Sequence, residues 1–282
     1  MIVKDLVTFR KHLPSVVLKG GLDPFIDSLE IAQEKLQNEI LGKDLIDALE
    51  AQSSEHEHLL KLATRVICYE GFLINIPDMD LILTDAGFAV TNNEKMAPAS
   101  PARVQALTAS IKSKLDGAKD ALINHLMTAP ECLSWRGTEQ FERLSDSLIF
   151  TYQEFKDLAI YNQITADAYP KCWSDFFDLN GSMNIALMTD VASYISKDYA
   201  EEILEKLRDN ERFLPIEKKV LKIIKIAVIA IALGDRKSGL EQAIIAHRIM
   251  KQNISDFPTF EAAPESQELT TEHTDSPIFM MF

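Results

Sequence analysis

Glycine and proline are scarce in this chain, 10 and 11 residues out of 282. A sandwich or barrel of many short strands needs turn residues at close intervals, so that architecture is disfavoured. The many Leu, Ile, Ala, Glu and Lys residues point to helices instead. Cysteine is scarcer still. Cys68, Cys132 and Cys172 stand far apart, odd in number and without a Cys-x-x-Cys. That excludes a disulfide framework and reads as reduced thiols in a cytosolic setting. Positive charge is also short, with 29 Lys plus Arg against 43 Asp plus Glu and a net charge of −14. A protein that coats bare nucleic acid needs clustered cations to displace counterions, which this balance argues against. Long apolar runs are missing too. The most apolar stretch, 220–233, has 14 residues and carries Lys222 and Lys225. A membrane span needs about 20 apolar residues, so a buried core helix is expected there and no membrane partner. The start, MIVKDLVTFRKHL, holds no apolar run suited to a signal peptide. A cytoplasmic protein, or one assembled in a cytoplasm, is the expectation.

Catalytic motifs are equally lacking. Neither GxGxxG nor GxxxxGK[ST] occurs, and there is no Gly-x-Ser-x-Gly nucleophile turn. His56 and His58 lie two apart, on different faces of a helix, and do not form His-Glu-x-x-His. Asp78, Asp80 and Asp85 resemble the start of a calcium loop. That loop needs an oxygen ligand fifth, Gly sixth and Glu twelfth, where this chain has Ile82, Leu83 and Ala89. His12, His125 and His247 look isolated. No metal, cofactor or catalytic residue is assigned, although acid–base groups brought together from distant positions remain an open alternative.

What is present is amphipathic helix. Residues 23–40 read as a helix capped by Asp23, with Pro24 at its first position and Phe25, Leu29, Ala32, Leu36 and Ile40 on one face. A short helix is expected over 43–50. Another follows from a Ser54/Glu57 capping box to near Gly71. Ser100-Pro101 opens the clearest helix, with Val104, Leu107, Ile111, Leu115, Ala118, Leu122 and Leu126 in one stripe. A glycine inside such a helix costs about 1 kcal/mol relative to Ala, so Gly117 suggests a close backbone contact. Residues 129–137 read as a linker anchored by Trp135, and 139–160 as one amphipathic helix. Trp173, Phe176 and Phe177 form an aromatic cluster before a turn at Asn180-Gly181. Helical pieces follow over 185–195, 197–207, 216–233 and 238–252.

Two segments break this pattern. Over 72–92, short β-rich runs flank an Asp-x-Gly turn, so a hairpin is predicted there, one that must pack on something larger. Over 255–282 there are six acidic residues, no Lys or Arg, and three prolines, which predicts a flexible tether. It ends in an apolar tip that either docks on a partner or folds back on its own domain. Leu81, Leu83, Phe88 and Val90 of the hairpin, with Ile278, Phe279, Met280, Met281 and Phe282 of the tip, are the candidate protein-interaction residues.

A weak internal repeat runs through the rest. The run 9–13 has a counterpart at 155–159, 40–45 at 194–199, and 59–63 at 220–224, always in order. The expected architecture is therefore mainly α. It comprises two related helical bundles, over 1–130 and 131–254, with a short β-hairpin arm and an extended C-terminal tail over 255–282.

The string TDAGFAVTNNEKMAPASPARVQAL at 84–107, preceded by CYEGFLINIPDMD at 68–80, resembles an uncharacterised family of virion proteins from phages and prophages of Bacteroides and relatives. In that family a helix with a late Tyr leads into a β segment with Asp-x-Gly-Phe/Ile, then Asn-Glu and a Pro-Ala-Ser-like helix start. Leu41-Gly42-Lys43 matches a further family string. The second half departs from it, with Ile195-Ser196-Lys197 where Leu-Gly would stand. The resemblance implies a head–tail connector or neck protein: non-enzymatic, forming a homo-oligomeric ring, commonly twelvefold, between portal and tail. DNA would only pass transiently through its lumen. Such a protein is located in the virion and assembled in the host cytoplasm. Two alternatives stay open, a small-molecule enzyme of helical fold and an assembly adaptor or chaperone.

Overall fold

A computed structural model describes residues 1–13, 21–51, 56–79, 100–160 and 169–266, and the backbone of 82–84 and 87–89. The chain is mainly helical and divides into two compact units, Met1–Phe141 and Glu142–Phe282.

In the first unit, α1 (Leu6–His12) is capped by Asp5, whose carboxylate accepts from the Thr8 amide at 2.8 Å. A 3₁₀ turn, Asp23–Phe25, leads into α2 (Ile26–Leu36). Pro24 sits in the opening turn as expected. Asp23 lies inside that turn, and the capping position is Leu22, with no side-chain bond. The last turn of α2 widens into a π turn, Gln37–Leu41, which Gly42 stops at φ 76°. Only glycine takes that conformation without steric cost. Next come α3 (Lys43–Glu50) and α4 (Glu57–Asn75). Ser54 of the predicted capping box lies outside the described residues.

Helix α4 runs through Gly71 instead of ending there. A Cβ on Gly71 would stand 2.8 Å from Leu29 Cδ2, 3.2 Å from Leu29 Cα and 3.2 Å from the Ser28 carbonyl. The glycine therefore lets α2 and α4 approach closely. Gly117 is the reverse case, since a Cβ there meets nothing within 4 Å. The close contact predicted for Gly117 is thus corrected: the tight approach lies at Gly71. Gly71→Ala is expected to destabilise by about 1–3 kcal/mol through overpacking. Gly117→Ala should stabilise by up to about 1 kcal/mol. Urea midpoints of the two variants shifting in the same direction would contradict this assignment.

Helix α5 (Pro101–Thr128) has 28 residues and is about 42 Å long. The stretch predicted as a linker is a 3₁₀ segment, Pro130–Gly137, with Cys132 and Trp135 buried. The Trp135 indole donates to the Ile40 carbonyl at 2.6 Å. That carbonyl lies at the end of the α2 helix, where carbonyls lose their intrahelical donors, so a buried ring N–H fills the vacancy. Phe141, in α6 (Glu139–Ser145), packs edge-on against Trp135. Between α4 and α5, β1 (Ile82–Thr84) and β2 (Gly87–Ala89) pair antiparallel, with Ile82 opposite Ala89 and Thr84 opposite Gly87.

In the second unit, the predicted helix over 139–160 is broken. Ser147 takes the chain out of α6, with its hydroxyl accepting from the Ile149 amide at 3.1 Å, and Thr151 caps a new helix, α7 (Tyr152–Ala159). Helix α8 (Trp173–Asp178) brings Phe176 against Phe155 and Trp173 against Phe177. Asn180-Gly181 begins α9 (Asn180–Ile185) instead of forming a turn. A π turn (Ala186–Val191) and α10 (Ala192–Ile195) follow. Ser196 then takes φ 73° ahead of α11 (Lys197–Arg208). The apolar stretch becomes α12 (Pro215–Ala232), which packs on α13 (Arg236–Gln252). Gly239 of α13 lies so close to α12 that a Cβ there would stand 2.8 Å from the Ala227 carbonyl.

The tether predicted to begin at 255 is folded as far as 266. Helix α14 (Pro258–Glu261) places Phe260 against His247, and Phe257 packs edge-on against Tyr199. Two buried phenylalanines outweigh the acidic composition here. The rest of the predicted tail, 267–282, lies outside the described residues.

The same succession of features occurs in both units. Asp5 and Thr151 cap helices in which Phe9 and Phe155 are fully buried. Leu29 and Met183, Ala32 and Ala186, Ile40 and Tyr194, and Leu41 and Ile195 are buried at matching distances before Gly42 and Ser196. Both of those residues have positive φ, and each follows a helix that contains a π turn. The Tyr194 carbonyl receives a buried ring nitrogen, His247 Nδ1 at 2.8 Å, just as Ile40 receives Trp135. Ser196 thus adopts the backbone that Gly42 provides, and its hydroxyl accepts from the Tyr199 amide at 3.2 Å.

Candidate functional site

The predicted interaction residues fall where side chains are not described. Leu83 and Phe88 are paired in backbone register, while Leu81, Val90 and Ile278, Phe279, Met280, Met281 and Phe282 lie outside the described residues. Four arrangements elsewhere can be assessed in full.

The first is the start of α5. From 101 to 110 no residue is buried, and Leu107 is 39% exposed. The apolar stripe that sinks into the core at Ile111, Leu115 and Leu122 continues upstream as Val104 and Leu107, without being buried there. Sequence spacing identifies the stripe but cannot tell which end of it the unit covers.

The second joins α2, α4 and α5. Glu70 receives Lys35 at 2.6 Å and Lys119 at 3.2 Å, and Lys119 also reaches Glu39 at 3.2 Å. The Lys119 side chain is only 3% exposed. Burial alone would push the Glu70 carboxyl up, but Lys119 and Lys35 outweigh it and hold the group below its ordinary range. Charge is matched and fixed in place, which suits a structural tie between helices.

The third corrects the expectation that His125 is isolated. His58, from the start of α4, meets His125, near the end of α5, edge-to-face at 4.6 Å, and Glu131 approaches His125 Nε2 to 3.4 Å. Burial lowers the His125 pKa first, His58 lowers it further, and Glu131 opposes both. A histidine held below its ordinary value of about 6.5 favours the fold fully above that value. The contribution is lost as pH falls from there to the lower folded value, because the unfolded chain takes the proton more readily. His125→Gln should flatten the dependence of the urea midpoint on pH between about 7 and 5. An unchanged slope would remove His125 from that role.

The fourth is a cleft of about 450 Å³ in the second unit, lined by Arg143, Phe177, Asn180, Gly181, Asn184 and Ile185 among others. Asn180 is 5% exposed, and neither its Nδ2 nor its Oδ1 has a hydrogen-bond partner among the described residues. Nearly all buried amides are paired, and each unpaired group costs about 1–3 kcal/mol. Counting back equally from Ser196 and Gly42, Asn180 corresponds to Ile26, so the matching position of the first unit carries no amide side chain. Asn184 is already engaged, donating to the Asp146 carbonyl at 2.6 Å. Ile185 is 63% exposed at the cleft's edge. In the sequence, Asn180-Gly181 has the signature of a turn, and nothing there signals an unpaired amide.

Burial pushes the Cys68 thiol up to about 12 and the Cys132 thiol up to about 11, so both stay protonated at neutral pH and are poor nucleophiles. Among the described residues, no group of three His, Cys, Asp or Glu side chains is placed to hold a metal ion, and no helix is long and apolar enough to cross a membrane.

No curated protein and no solved structure matches the chain. A family described as "Family of unknown function (DUF6712)" matches residues 18–143, a span that stops close to the end of the first compact unit.

Proposed function

We propose that this chain is a non-enzymatic virion structural protein, a ring-forming head–tail connector or neck subunit of a tailed phage or prophage. The observation that carries the reading is the apolar stripe at the start of α5, which is not buried among the described residues, with Val104 half-buried and Leu107 exposed. Water-exposed apolar residues in line with a core stripe favour burial against another protein. The strand pair of 82–84 with 87–89 precedes this face in the chain and serves as the arm, while the C-terminal residues to 282 serve as the tail. The strings at 68–107 add the resemblance to Bacteroides phage proteins. Matching buried positions, caps and positive-φ residues support two related bundles. The ring would form from identical copies in the host cytoplasm and end in the virion between portal and tail, with DNA only in passage. A net charge of −14 suits a lumen that does not retain DNA. Leu107→Glu tests the reading. Sedimentation of the full-length variant is expected to show smaller assemblies than wild type, with unchanged helicity and melting. Identical sedimentation of the two would argue against this face. Presence of the chain in finished particles supports a connector over a transient adaptor.

A further inference from the structure

The cleft in the second unit is lined by a buried side-chain amide, that of Asn180, with no hydrogen-bond partner among the described residues. Its buried amide at Asn180 offers two donors and an acceptor with no partner, between the half-buried Phe177 and the exposed Ile185. We infer that the cleft receives the apolar segment 277–282 of a second copy of this chain. The inference rests on the assembly reading above and names one contact through which assembly occurs.

Three observations select this occupant. A backbone peptide group presents one carbonyl and one N–H, which are the partners the Asn180 amide needs. The tip Ile278, Phe279, Met280, Met281 and Phe282 supplies apolar side chains for Phe177 and Ile185. Upstream, 267–276 carries Glu268, Glu272 and Asp275 and no Lys or Arg; of the two charged residues lining the cleft, Arg143 attracts that run, while Asp146 opposes it but is paired with Arg208 at 3.3 Å. The ten residues between the described chain and Pro277 can span up to about 35 Å. Gly181 lines the cleft, and a Cβ there would meet nothing within 4 Å, so the position accepts a side chain without a clash.

The test mixes two full-length chains in a Cys172→Ser background, which removes the one half-buried thiol and leaves the buried Cys68 and Cys132. One chain carries Ile185→Cys and the other Phe279→Cys, and oxidised glutathione is the oxidant. A disulfide between the two chains is expected. It should be lost when the Ile185→Cys chain also carries Gly181→Phe, which fills the cleft, and should persist with Gly181→Ala. Asn180→Leu is a second variant that removes the amide: the linkage should be lost while the melting temperature holds or rises. The inference is overturned if assembled protein gives no mixed disulfide, or if Gly181→Phe leaves the yield unchanged. It is also overturned if the link forms only within one chain when both cysteines share a molecule. Sedimentation of the same samples separates the two ideas. An assembled but unlinked protein removes this contact alone, whereas a strict monomer removes the assembly reading with it.

Discussion

Replacing Glu70 by leucine is expected to cost about 3–5 kcal/mol, a large part of the roughly 5–15 kcal/mol that stabilises a typical domain. The carboxylate is the junction of Lys35 at 2.6 Å and Lys119 at 3.2 Å. Without it, Lys119 loses one of the two carboxylates that hold it at 3.2 Å while remaining almost wholly out of water. An under-compensated buried cation costs far more than a surface pair is worth. The double variant Glu70→Leu/Lys119→Met should recover much of the loss, because it removes the charge that was left behind. Urea denaturation of the two single variants and the double gives the coupling directly. A single Glu70→Leu cost below about 1 kcal/mol would mean that Lys119 reaches water easily. The group also contributes to the acid side of the stability profile, together with other carboxyls lowered in the fold such as Asp5 and Glu50. Its pKa is lowered in the fold, so its contribution is present above about 4.3 and is lost as pH falls toward the lower folded value.

Leu115→Asp should unfold the first unit and leave the second folded. Leu115 is buried in α5 along the stripe that includes Ile111, Ala118 and Leu122, and the buried cation one turn on, Lys119, is already held by Glu39 and Glu70, so a carboxylate at 115 would compete with them from an apolar position. Burying such a charge exceeds what one helical unit can absorb. Each unit carries one of the two tryptophans, Trp135 and Trp173, both buried, so fluorescence reports on each core. The expected result is a red shift of about half the emission at room temperature and one remaining cooperative melt. Loss of both tryptophan environments together would show that the units do not fold independently. Normal emission and melting would show that the stripe faces solvent.

Much of the helical scaffold was legible from periodicity and punctuation. The short helix at 43–50 and the buried helix opened by Pro215 follow from apolar spacing and from proline's fit to a first helical turn. The ordered matches between the halves foreshadow features that a single sequence hides: the π turns, the positive φ at Ser196, and the ring nitrogens on Ile40 and Tyr194. What could not be read is what depends on a neighbour. Gly71 and Gly117 look alike in sequence, but only Gly71 faces a crossing helix. His58 and His125 lie far apart in the chain and meet only because α4 packs on α5. Phe257 and Phe260 sit in an acidic, proline-bearing stretch whose composition suggests a free tether, and two aromatic contacts hold it down. The Asn180 amide gives no sign in sequence of its missing partners, because a turn signature at Asn180-Gly181 describes only local backbone.

The most direct test of the account is electron microscopy of the purified full-length chain. Copies that cover one another's apolar surface should appear as closed rings of uniform diameter, and Leu107→Glu should disperse them. A field of single 31.7 kDa particles at every protein concentration would contradict it.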